Sequence, residues 1–75
     1  MEIDVIKLKR TIAMKNTTLE AVAEVLGVNR STLYRKLKSG GGGITLSDAK
    51  SISEYLGLSK AETLNIFWVQ HGTRM

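Results

Sequence analysis

Cysteine and proline are both missing from this 75-residue chain, and one histidine, one tryptophan, one phenylalanine and two tyrosines offer little for metal or ring chemistry. With no cysteine there is neither a disulfide framework nor a thiolate metal site. Packing alone must hold the fold, near the lower limit of length at which packing suffices. No apolar run approaches the roughly 20 residues that a membrane span requires, so a membrane is not an expected partner. The opening Met1-Glu2-Ile3-Asp4 is acidic where a secretion signal would be basic, and a cytoplasmic location is expected. The length suits one small domain, 1–75, and not a multi-domain enzyme.

The equipment of catalysis is equally scarce. The single His71 lies in a tail, 70–75, that is expected to fray, and no second ligand cluster or nucleophile motif accompanies it. The glycines at 40–43 lack the Gly-Lys-Ser/Thr ending of a phosphate loop and run instead into Ile44-Thr45-Leu46. Asp48, Glu54 and Glu62 are spaced as helix-surface and cap residues. No catalytic residue, metal or cofactor is expected, and the chain does not read as an enzyme.

What the sequence does contain is an uneven charge. Its net +4 would say little if scattered. Between Glu24 and Asp48, however, there is no acidic residue, while Arg30, Arg35, Lys36 and Lys38 all fall there. Lys7, Lys9, Arg10 and Lys15 form a second basic group near the start. Such groups are often no more than solvated helix faces, so position within a motif must decide.

Hydrophobic residues, 43% of the chain, recur at helical spacing. Val5, Leu8 and Ile12 mark a first helix over about 4–15, stopped at Asn16. Thr17 and Thr18 offer an N-cap to a second helix with Leu19, Val22, Ala23 and Leu26 on one face, ending at Gly27. Asn29 caps a third, 30–38, whose large aliphatic residues are Leu33 and Leu37. At roughly 100° per residue, the side opposite that pair centres on Arg35, flanked by Ser31, Thr32 and Lys38, with Arg30 and Tyr34 toward one edge. A glycine loop, 39–44, follows. Capping boxes at Thr45–Asp48 and Ser59–Glu62 open two C-terminal helices within about 46–69. The fourth turns Leu46, Ala49, Ile52 and Leu56 inward. In the fifth, Leu64 and Trp68 are expected to serve the core, which leaves Ile66, Phe67 and Val69 as an apolar surplus. The fold class is therefore all-α, a five-helix domain.

Val22, Ala23 and Leu26, a glycine turn, Val28 as a corner plug and Leu33 with Leu37 meet the steric requirements of a helix-turn-helix within about 18–38. The stretch LEAVAEVLGVNRSTLYRKLK resembles the helix-turn-helix of the phage Cro and repressor class, the Xre-type family, with Ala23, Gly27, Val28 and Leu33 at its small, glycine and apolar positions. The continuation is similar to that of small phage Cro-like proteins. Leu19 departs from the pattern, since members often carry a Gln there that reaches a DNA phosphate.

The resemblance implies a sequence-specific double-stranded DNA-binding protein, a Cro-like transcriptional repressor of a bacterial host cell, phage or prophage, with helix 30–38 in the major groove. Arg35 is the expected guanine reader. Asn29, Arg30, Ser31 and Tyr34 face DNA beside it, and Thr18, Lys36, Lys38 and the amides of Gly40 and Gly41 hold phosphates. The apolar surplus Ile66, Phe67 and Val69 is the expected homodimer interface. The competing reading is a protein-interaction module of the same fold, an antirepressor or antitoxin-like partner of another regulator.

Overall fold

Five short polar side chains set the helix starts. In the computed structural model, which describes residues 2–68, Asp4, Thr18, Asn29, Thr45 and Ser59 each accept a hydrogen bond from the backbone amide three residues on, at 2.8–3.1 Å. Each such cap is worth about 1 kcal/mol, because it satisfies an amide that the first turn leaves without a helical partner. Behind these caps run α1 (Val5–Met14), α2 (Leu19–Leu26), α3 (Arg30–Lys38), α4 (Leu46–Leu56) and α5 (Lys60–Phe67). No strand occurs among the described residues. Thr45 and Ser59 open full capping boxes, in which Asp48 Oδ2 and Glu62 Oε1 accept from the Thr45 and Ser59 amides at 3.1 and 2.8 Å.

Between α2 and α3 the chain reverses at Gly27, with φ at 74°. The Gly27 amide donates to the Glu24 carbonyl and the Val28 amide to the Ala23 carbonyl, both at 3.0 Å, so the last turn of α2 is closed as α3 begins. Val22 and Ala23 of α2 and Leu33 and Leu37 of α3 are buried, and Val28 packs against them at the corner. Leu8 and Ile12 of α1, Ala49, Ile52 and Leu56 of α4, and Ile66 and Phe67 of α5 complete the helical part of the core. Ile3 and Ile44 add to it from outside any helix.

Two expectations about this core are overturned. In α5 the inward side is reversed: Ile66 and Phe67 are 2% and 0% exposed, whereas Leu64 and Trp68 are 47% and 40% exposed. A helix ringed by apolar residues carries no periodic signal of which face turns in, and tertiary contacts decide it. Here the Asp4 amide donates to the Ile66 carbonyl at 2.8 Å, pinning the segment before α1 against α5. Leu46 is the second departure, 65% exposed although grouped with Ala49, Ile52 and Leu56. Its azimuth lies roughly 60° beyond the arc those three define, and as the first residue of α4 it has no preceding turn to lie against. Val69 and the tail expected to fray, with His71, lie outside the described residues.

The glycine loop is tied to the segment before α1 and to α3, by the Ile3 amide on the Gly40 carbonyl and the Gly41 amide on the Lys36 carbonyl. Gly41 is buried with φ at 84°, and a Cβ placed on it would come within 2.6 Å of Ile3 Cδ1. A glycine is required there twice over, by backbone conformation and by space.

Candidate nucleic-acid interface

The outward face of α3 follows from what its inward face must do. With Leu33 and Leu37 buried, helical geometry turns Arg30, Ser31, Tyr34, Arg35 and Lys38 to the surface, and all five are exposed. Three of these, Arg30, Arg35 and Lys38, are basic residues. In the last turn of α3, Arg35, Lys36 and Lys38 also lie near carbonyl groups that carry the negative end of the helix dipole, which stabilises the helix itself. Lys36 is half-buried, and its stem runs over the glycine loop, where a Cβ on Gly43 would sit 3.0 Å from Lys36 Cγ.

Arg35 on this face and Asn29 at its start already hold hydrogen bonds. Arg35 donates from Nη2 to Thr32 Oγ1 at 3.3 Å, which turns its guanidinium toward the N-terminal half of α3. Asn29 Oδ1 accepts from the Thr32 amide at 2.8 Å. A bidentate contact to adenine needs both the oxygen and the nitrogen of an asparagine amide, and the cap, which takes one of the two lone pairs of Oδ1 and fixes its direction, competes with that contact. Thr18 keeps more freedom. Its hydroxyl accepts from the Ala21 amide at 3.1 Å, and its proton remains available to an acceptor outside the helix.

The glycine amides are a correction. Expected to meet phosphate, those of Gly40 and Gly41 instead donate at 3.0 Å to the carbonyls of Leu37 and Lys36, closing the C-terminus of α3. An amide spent on a carbonyl is not offered to an anion. A second correction concerns the expected homodimer residues: Ile66 and Phe67 are core, not surface, and Val69 lies outside the described residues. The apolar side chains that do reach the surface at that end, Leu46, Leu64 and Trp68, line a groove of about 650 Å³ between α4 and α5 together with Lys50, Glu54 and Lys60. Ser53 also lines it; its Oγ is buried with no hydrogen-bond partner among the described residues.

Sequence reasoning left the N-terminal basic group without a role, and the structure brings one of its members to α3. Lys9 Nζ lies 5.6 Å from the centre of the Tyr34 ring, and Arg30 Cζ lies 5.4 Å from it. Both distances fall within cation–π range. Contact between residues 25 positions apart on different helices leaves no local trace in the sequence, although the cluster of lysines on α1 was visible.

Elsewhere among the described residues, no group of three or more His, Asp or Glu is placed to hold a metal ion, and no helix is long and apolar enough to cross a membrane. No curated protein and no solved structure matches the chain. A family model described as helix-turn-helix matches residues 6–62, from α1 into α5. That match spans the glycine turn, the buried Ala23 and Leu33 and the cationic outer face of α3, and it covers well over half of the chain. The family is one of DNA-binding regulators rather than enzymes, and the chain belongs to it as an all-α, Cro- and repressor-like helix-turn-helix protein.

Proposed function

We propose that the chain is a single-module, Cro-like transcriptional repressor that recognises a specific operator by laying α3 in the major groove. One observation carries the reading: α3 buries only its leucines and offers Arg30, Ser31, Arg35 and Lys38 together on an exposed face without a carboxylate. Arg35 is the guanine reader, since its planar fork matches O6 and N7. Arg30 and Ser31 meet neighbouring base edges. Asn29 acts mainly as the cap, Tyr34 at the edge of the face contacts a thymine methyl or phosphate, and Thr18, Lys36 and Lys38 hold phosphates. With Leu19 packed against the core, the Thr18 hydroxyl supplies the grip at the start of α2.

The test is selection of duplexes from a random pool. A palindromic consensus with half-sites about 34 Å apart is expected, and Arg35→Ala should cost roughly 1–3 kcal/mol of affinity while blurring one base pair. A pool without consensus overturns specific recognition. Arg35→Ala binding like the parent removes Arg35 from the readout.

Two-fold operators call for a homodimer, at least on DNA, and the surface suited to it is the α4–α5 groove. Leu46, Leu64 and Trp68 supply apolar area, while Glu54 beside Lys50 and Lys60 lets a two-fold copy set carboxylate against ammonium. Leu64→Asp should leave a folded monomer with weak operator binding. A parent protein that binds the palindrome as one copy per site, measured by sedimentation, excludes the dimer. The same groove favours a second reading, a module that sequesters another regulator. Tight, salt-insensitive binding to a protein with weak duplex affinity would establish that reading instead.

A further inference from the structure

We infer that α1 contributes a phosphate site to the DNA interface, in the hollow between Lys9 and the outer face of α3. The inference rests on the DNA-binding reading and adds a residue and a ligand group to it. The hollow, about 280 Å³, is lined by Val5 and Lys9 of α1 and by Tyr34, Arg35, Leu37 and Lys38 of α3. Half of these six residues are cations and none is a carboxylate. All three cations are exposed, so an anion can reach them from solvent.

The occupant is a phosphodiester of the duplex backbone rather than a free anion. Arg35, on the base-reading face, lines the same hollow, so a helix seated in the major groove brings the flanking backbone against it. Arg35 itself is drawn toward Thr32, which leaves Lys9 and Lys38 as the ligands of the phosphate. Tyr34 sets the position of Lys9: the ring within 5.6 Å of Nζ holds the ammonium beside α3 while leaving its protons free to donate. The grip spans two helices, so it fixes the angle of α3 in the groove as well as its depth.

The experiment uses a duplex selected by the full chain and maps its phosphates by ethylation interference, for the parent, Lys9→Gln and Lys9→Arg. Lys9→Gln should lose interference at one phosphate per half-site, with base contacts unchanged. Its salt dependence should be shallower by up to about 0.9 per module, equivalent to a roughly eightfold loss of affinity near 0.1 M salt. Lys9→Arg should restore the phosphate. Lys7→Gln, exposed on α1 but outside the hollow, should change neither readout. A Lys9→Gln footprint and slope identical to the parent's overturn the site, even if Tm falls through the lost contact with Tyr34. A parent chain that binds no duplex overturns the DNA reading itself, and this site with it.

Discussion

The outward face of α3 and the outward face of α4 and α5 are built by the same rules and end with opposite surfaces. Each helix begins on a polar cap and buries a small set of aliphatic or aromatic residues. What α3 then shows to water is Arg30, Ser31, Arg35 and Lys38, whereas α4 and α5 show Leu46, Leu64 and Trp68. Folding needs only the inward residues, so the outward ones are free to carry function, and their chemistry separates a surface for phosphates and base edges from one for another protein. The sharpest break of this comparison lies within α5. Phe67→Ala should cost about 3–5 kcal/mol in urea unfolding, because it empties a fully enclosed site. Leu64→Ala, three residues earlier and half exposed, should cost under about 1 kcal/mol. Equal losses would mean that α5 is not oriented as described, and the apolar groove would vanish with that orientation.

The basic side can be broken at its glycines. Gly27 has open space where a Cβ would go, so Gly27→Ala should cost about 1 kcal/mol, the strain of its left-handed backbone alone. Gly41→Ala adds a clash with Ile3 to the same strain, and the sum should reach roughly 2–4 kcal/mol. Since Gly41 closes the end of α3 through the Lys36 carbonyl, the larger loss should be accompanied by weakened duplex binding, measured by titration at a temperature where both variants are folded. A Gly41→Ala protein as stable as Gly27→Ala would show that Ile3 moves aside easily and that the loop does not set the end of the basic face.

How much of this was legible in the sequence differs between the two regions for a physical reason. Around α3, few residues were apolar, so Leu33 and Leu37 could only face inward and the position of every outward residue followed at helical spacing. The caps Asn29, Thr45 and Ser59 were equally plain, and that of α2 was narrowed to Thr17 or Thr18, since capping is a local bond between neighbours in the chain. Around α5, Leu64, Ile66, Phe67 and Trp68 nearly encircle the axis, and the choice of inward face fell to a partner far away in sequence, the Asp4 amide on the Ile66 carbonyl. The same limit hid the approach of Lys9 to Tyr34. The loss of the Gly40 and Gly41 amides to α3 is a local bond, missed when the glycines are read as a loop and not as the C-terminal cap of the helix before them. Periodicity reports on one helix at a time. It is silent on what two helices, or a helix and a loop, do to one another.

The smallest expected effect sharpens the comparison through pH. The caps of α2 and α3 are a threonine and an asparagine, which do not titrate, but the start of α5 relies on a carboxylate. Glu62 accepts from the Ser59 amide and pairs with the Ser59 side chain, and these bonds, aided by the charge of Lys15, hold its carboxyl below the ordinary glutamate value against a small opposing effect of desolvation. A carboxyl with a lower pKa in the folded chain than in the unfolded one contributes stability that is complete above the unfolded value and lost as pH falls through the folded one. Acidification below the ordinary glutamate range should therefore loosen the first turn of α5 before it affects the start of α3, visible as earlier amide exchange at Glu62 and Thr63 than at Leu33. Glu62→Gln keeps an acceptor for the Ser59 amide without the proton equilibrium and should flatten that pH dependence at α5 alone. If both helix starts loosen together in the parent and in Glu62→Gln, the two halves of the molecule open as one unit, and the contrast between them is confined to their surfaces.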